Sequence, residues 1–139
     1  MKFSYEMTTD LSMEQLWPYY ADVKRWFAWE SDLEDIELDG AFATGTTGRM
    51  TMTGQPPMPY TLVKVEEGRS FTDKSTVPDV GDVYFAHELA ERDGRTLIRH
   101  SVELVPVGGV DTPDTAHAAA GIFSDVPDSV FALIKSARE

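Results

Sequence analysis

His87 and His100 are the residues best suited to chemistry, because the sequence around them sets the two imidazoles face to face. Val83 to Val105 reads as a long β-hairpin closed by Asp93-Gly94, a dipeptide suited to two-residue turns with positive φ. With those two residues as the loop, Arg92 faces Arg95 and His87 faces His100. Glu88 then lies opposite Arg99, an opposite-charge pair that fits a solvated face. Phe85 and Leu89 join His87 on the other face, opposite Val102 and Ile98. Two of the chain's three histidines therefore share an otherwise apolar surface. A neutral imidazole pair there could orient or polarise a ligand carbonyl, and one ring could act as a general base near pH 7. An intramolecular aldol cyclisation or dehydration needs that kind of proton transfer, plus a donor for the enolate oxygen. The competing reading makes both histidines hydrogen-bonded core residues without a function.

Other chemistries find less support. A metal site needs a third protein ligand, and His117 belongs to a separate late segment, so no metal is expected. Asp73 could supply a carboxylate, but the pattern of its hairpin leaves either face inward. No cysteine is present, which removes disulfides, thiol nucleophiles and thiolate ligands. The G-x-S-x-G elbow, the H-E-x-x-H pair and the phosphate loop are absent. Gly40, Gly45 and Gly48 do not match a dinucleotide fingerprint and read as turn and bulge residues. No cofactor is expected. Arg99 is the anion-binding candidate by type, yet its pairing with Glu88 makes it an ordinary surface ion pair. Trp26 and Trp29, three apart, share a helical face that packs on a sheet or lines a pocket. Tyr60, Phe123 and Phe131 are packing residues that could border a cavity, whereas Tyr84 falls outside it, opposite Glu103.

The elements that position these residues follow from the pattern. Lys2 to Thr9 alternates as a first strand, with Phe3, Tyr5 and Met7 on one face. Ser12 and Gln15 form a capping box, and Leu11 and Leu16 sit where a hydrophobic staple belongs. Pro18 shortens or kinks this first helix. Asp22 caps a second, Val23 to Trp29. Leu33 to Leu38 reads as a strand in which Leu33 and Asp35 alternate against Glu34 and Ile36, an imperfect pattern, and Arg49 to Thr53 is another. Three prolines between Gly54 and Tyr60 make a rigid connection. Tyr60 to Glu66 and Arg69 to Thr76 form a second hairpin around Glu67-Gly68. On a two-residue loop Glu66 faces Arg69, Lys64 faces Phe71 and Leu62 faces Asp73, while Val63 and Val65 sit on the opposite face with Thr72 and Ser70. Thr112 caps a short helix led by Pro113, which Gly121 ends or weakens. Asp125 starts an amphipathic helix through Val130, Leu133 and Ala137. The order is strand, two short helices, six strands and a terminal helix. Such an antiparallel sheet must bury one face under the helices.

At 139 residues the chain is one domain's length. Its formal charge of −12 repels nucleic-acid backbones and anionic membranes, and no Lys/Arg cluster offsets it. The first residues lack a signal-peptide core and no run is long enough to span a membrane, so a cytoplasmic location is expected.

Taken together, the chain resembles the polyketide cyclase/dehydrase and lipid-transport group of the START-like, pollen-allergen-like (SRPBCC) superfamily, over essentially its whole length. The resemblance rests on Trp17, Asp22-Val23, Trp26 and Trp29, the Leu38-Asp39-Gly40…Gly45…Gly48 loop, and Val65-Glu66…Gly68…Phe71. It continues through Phe85-Ala-His87-Glu-Leu, Asp93-Gly94-Arg95-Thr96…Arg99-His100 and the helix around Pro127 to Ala137. It implies an α+β helix-grip fold over residues 1–139: a curved seven-stranded antiparallel sheet wrapped around a C-terminal helix, with two short helices after the first strand. It also implies an internal cavity that binds or transports an apolar or aromatic small molecule. Phe85, His87, His100, Trp29 and Tyr60 are the candidate lining. A cyclase-like enzyme using His87 or His100 is the alternative, and an interaction protein with a filled core, in the form of a homodimer, is a third.

Overall fold

A computed structural model describes residues 1–139. The sheet has seven strands in the order β1-β7-β6-β5-β4-β3-β2, every neighbouring pair antiparallel. The strands are β1 Lys2–Thr9, β2 Leu33–Leu38, β3 Thr47–Met52, β4 Met58–Glu66, β5 Ser70–Val77, β6 Gly81–Arg92 and β7 Arg95–Pro106. Strands β2 to β7 form a meander, and β1 closes against β7. The helical segments are α1 Met13–Leu16, α2 Pro18–Ala21, a 3-10 turn Val23–Ala28, α3 Pro113–Phe123 and α4 Val126–Arg138. None is long and apolar enough to cross a membrane.

The main hairpin adopts the register dictated by Asp93-Gly94. Arg92 pairs with Arg95, Glu88 with Arg99, His87 with His100 and Phe85 with Val102. Both turn residues have positive φ, Asp93 at 53° and Gly94 at 77°, the geometry that matches strand twist. On the outer face Arg99 holds Glu6 at 2.6 Å and reaches Glu88 only at 3.9 Å, because β1 lies on its other side.

The second hairpin differs from expectation. Its loop has three residues, Glu67 to Arg69, so Glu66 pairs with Ser70, Val65 with Phe71 and Lys64 with Thr72. Gly68 at φ 78° provides the left-handed position such a loop requires. A bulge between Leu62 and Lys64 then restores the Leu62–Asp73 pair. Its consequence is that Leu62 and Val65 both contribute to the core, instead of Val65 lying on the far face with Thr72. The same device explains the uneven β2 pattern. A bulge between Leu33 and Asp35 turns Leu33 and Ile36, rather than Leu33 and Asp35, toward the interior.

The first helix is capped as its sequence requires: Ser12 Oγ accepts from Gln15 N at 3.1 Å and Gln15 Oε1 accepts from Ser12 N at 2.8 Å. Pro18 divides it at Trp17, so the region holds three short segments rather than two helices. Helix α3 runs through Gly121 to Phe123, and α4 buries Val130 and Leu133 while Phe131 stays 53% exposed. Gly48 sits where β3 passes Tyr60: a Cβ there would lie 2.8 Å from the Tyr60 ring and closer still to the Glu37 carbonyl.

The concave face carries two apolar clusters. The larger joins Leu16, Tyr20, Trp26, Trp29, Ile36, Tyr60, Phe71, Ile98 and Leu133; the smaller joins Val83, Val102, Leu104 and Ala119. Between them the inward positions of β5, β6 and β7 are polar: Asp73, Ser75, His87 and His100, all buried.

Candidate functional site

The two facing histidines have different surroundings. His100 Nε2 is 2.6 Å from the Tyr20 hydroxyl, and its Nδ1 is 3.0 Å from Ser129 Oγ. Ser129 donates its own proton to the Val126 carbonyl at 2.7 Å, so its oxygen must accept from Nδ1–H. That assigns Nε2 as the acceptor of the Tyr20 proton. Each polar atom in this chain has a partner, and the imidazole is neutral. Burial, with His87 nearby, holds His100 well below the usual histidine range.

His87 is buried as deeply but lacks such partners. Its ring stacks on Phe71 at 4.1 Å and 8°, and meets Trp29 at 5.4 Å and His100 at 4.8 Å edge-on. Its Nδ1 has no hydrogen-bond partner. The nearest charged group is Asp73, whose Oδ1 stands 3.9 Å away, too far for a hydrogen bond. Burial pushes His87 down to about 3 and Asp73 up to about 7. The pair's proton therefore rests on the carboxyl, and both groups are neutral below pH 7.

Both border a cavity of about 90 Å³. Trp26, Trp29, Phe85 and Leu33 form apolar walls, and the half-buried Met50, Met52 and Met58 edge it. Cross-strand pairing brings the rim together, Met50 against Met58 and Met52 against Leu33. The polar wall is Glu30, Asp73, Ser75 and His87. Ser75 Oγ, like His87 Nδ1, is buried without a partner. Burial first, then the charges of Asp125, Asp73 and Asp32, push Glu30 up to about 8.

The broken first helix builds part of this wall. Trp29 Nε1 donates to the Tyr19 carbonyl at 2.9 Å and Trp26 Nε1 to the Tyr20 carbonyl at 2.8 Å. These carbonyls belong to a helix too short to use them. The two indoles are thereby fixed with their N–H groups satisfied, and the rings are left as walls.

Of the residues singled out from sequence, Trp26, Trp29, Asp73, Phe85 and His87 line this cavity. His100 lies behind it, beside a smaller space of about 50 Å³ that Glu30, Phe85 and His87 share. Tyr60 stands apart: it is 1% exposed, packs 6.0 Å from Trp26 and donates to the Glu37 carbonyl at 3.1 Å. His117 is exposed on α3, and no three His, Asp or Glu side chains converge as metal ligands. Glu30, Ser75 and the three methionines are the residues that sequence reasoning missed. The signal for Ser75 and Asp73 was the alternation Phe71-x-Asp73-x-Ser75, which points all three inward once Phe71 is placed in the core.

Below pH 7 the site can thus offer a small molecule an apolar slot and four uncharged hydrogen-bonding groups. Two of those atoms have no partner within the protein.

No protein-family model matches the sequence, nor does any curated protein. Solved structures match it throughout. Ara h 8.0201 shares 16% identity over 99% of this chain and 97% of its own, with a TM-score of 0.76. Norcoclaurine synthase from Thalictrum flavum, in truncated form, shares 13% over 100% of this chain and 94% of its own, at 0.73. DynU16, from the dynemicin biosynthetic locus, shares 15% over 96% of this chain at 0.67, and this chain spans 46% of its length. At such identities the likeness is one of fold. The chain has the helix-grip fold, a seven-stranded antiparallel sheet with a long C-terminal helix.

Proposed function

We propose that the protein binds a small apolar or aromatic molecule in the cavity between the sheet and the 3-10 turn. The carrying observation is the pair of unpartnered buried atoms, His87 Nδ1 and Ser75 Oγ, on the wall of an otherwise apolar space. A buried polar atom without a partner costs about 1–3 kcal/mol, and a ligand's polar group would remove that cost. The volume suits a single ring with a short polar arm rather than a long acyl chain, since one water needs roughly 10–15 Å³ on this measure. Neighbouring proteins of the same fold that include a synthase and a biosynthetic-locus protein support the small-molecule class.

Native mass spectrometry of gently purified protein, paired with a toluene titration, tests the reading. A retained small molecule, or saturable quenching of Trp26 and Trp29 with a rise in melting temperature, is expected. A bare mass with neither quenching nor stabilisation would remove the cavity as a ligand site and favour a filled-core interaction protein.

A proton-transfer enzyme of the cyclase or dehydrase type is the second reading, favoured by the neutral Asp73–His87 pair. His87 would carry it, because both nitrogens of His100 are engaged. Turnover of a retained ligand that survives His87→Gln would sink this reading.

A further inference from the structure

We propose that the cavity selects a small aromatic or apolar molecule bearing a basic nitrogen, held through its ammonium group by the carboxyl groups of Glu30 and Asp73. The inference rests on the cavity being a ligand site and adds the charge of what it takes.

The polar wall is one-sided in charge. Glu30 follows the 3-10 turn and Asp73 stands on β5, and no lysine or arginine lines the space between them. Asp32 ahead of β2 and Asp125 ahead of α4 add negative potential at Glu30. The remaining titratable groups facing this wall are neutral: His87 on β6, His100 on β7, and Tyr20 of α2, whose proton is given to His100. Once these acids ionise, an anion would meet repulsion with no compensating cation. An ammonium would meet two acids that have no basic partner of their own.

The unpartnered atoms point to the same chemistry. An ammonium carries three donors and no acceptor. His87, with its side chain 8% exposed, can present its Nδ1 lone pair, and Ser75, 3% exposed, can present its Oγ. Asp73, 4% exposed, adds a carboxylate once its proton leaves. A carbonyl ligand needs donors, and once the acids lose their protons the Ser75 hydroxyl is the donor left among the unpartnered atoms. The rings of Trp26 and Trp29 border the same space and favour a cation near their faces. Where the carboxyl is still protonated, its proton passes to the buffer on binding and the ammonium keeps its own, so charge balances within the site.

The test compares 2-phenylethylamine with 2-phenylethanol by calorimetry on the whole chain, at pH 6 and pH 8, in buffers of differing ionisation enthalpy. The amine is expected to bind about 10- to 100-fold tighter at pH 8, the range of a charge-assisted hydrogen bond. At pH 6, where the carboxyls hold their protons, it should bind more weakly and release a proton on binding. Asp73→Asn and Glu30→Gln should each shrink the ratio of amine to alcohol affinity. Equal or stronger binding of the alcohol at pH 8, or amine binding at pH 6 without proton release, overturns the charge assignment and leaves the cavity reading standing. Binding of neither compound overturns both. The wild-type comparison stands without the variants should either fail to fold.

Discussion

Stability should fall as pH rises from about 6.5 to 8.5, and the fall should come from Glu30 and Asp73. Their folded pKa values, about 8 and about 7, lie above the ordinary 4.5 and 3.8. The folded state therefore holds protons that the unfolded chain has released, and stability is lost until pH passes the folded value. Integrated over this window, Asp73 loses about 1 kcal/mol and Glu30 about 2 kcal/mol. His87 and His100 act in the opposite sense, because burial lowers both. Their stabilisation is full above the unfolded value near 6.5, and the last part of it, about 1 kcal/mol together, returns across the same window. The net loss is about 2 kcal/mol, or about 5–10 °C in melting temperature for a domain of this size. Urea unfolding at fixed ionic strength, with m constant across the series, measures it. Glu30→Gln should abolish the net decline and Asp73→Asn should roughly halve it. A flat or rising profile in the wild type would refute the claim that both acids enter the folded state protonated.

Tyr20→Phe should cost about 1–3 kcal/mol, since it strips the donor from a buried His100 Nε2; denaturant unfolding reads it, and a change under about 0.5 kcal/mol would contradict the assigned tautomer. Gly48→Ala should destabilise by about 1–3 kcal/mol or more through overpacking against Tyr60 and the Glu37 carbonyl, and Tyr60→Leu in the same chain should recover part of it. Ser12→Ala should lower stability by about 1 kcal/mol through loss of the capping box, with ligand affinity in a toluene titration unchanged.

Much of this fold is legible because its strongest signals are local. Asp93-Gly94 fixes a two-residue turn, and that single choice sets every pair of the longest hairpin, the facing histidines included. Ser12, Gln15 and Pro18 dictate where the first helix begins and breaks. The failures share one cause. In β2 and β4 a bulge shifts the parity of a strand, and parity is the quantity from which inward faces are read. Glu67-Gly68 suits a two-residue loop as well as a three-residue one, and only pairing with β6 on the other side settles Phe71, Asp73 and Ser75 inward. Glu30 was beyond reach for another reason. It follows a buried tryptophan at the end of a 3-10 turn, where no period indicates direction, and its surroundings come from β2, β5 and α4.

The contrast between the two histidines argues against a merely structural polar belt. Both occupy inward positions of one strand pair, both are nearly inaccessible, and both are neutral. Around His100 the chain supplies a hydroxyl to each nitrogen, from α2 and from α4, and a carbonyl beyond. A polar group kept only for packing would be satisfied in that way, because an orphan costs more than its bond is worth. His87, one register position across, faces a carboxyl held 3.9 Å away, a serine without a partner and an open space. Leucine at that position would fill the slot and remove the penalty at no cost to the strand pairing. Where a fold can satisfy one buried imidazole in full and leaves its partner open toward a cavity, the open one is the candidate for the face proposed to meet a ligand. His87→Leu separates the two roles: it should stabilise the ligand-free protein and abolish saturable toluene binding, whereas His100→Leu should destabilise the protein by stranding Tyr20 and Ser129. Loss of stability in both variants would return His87 to the core and end its assignment to the site.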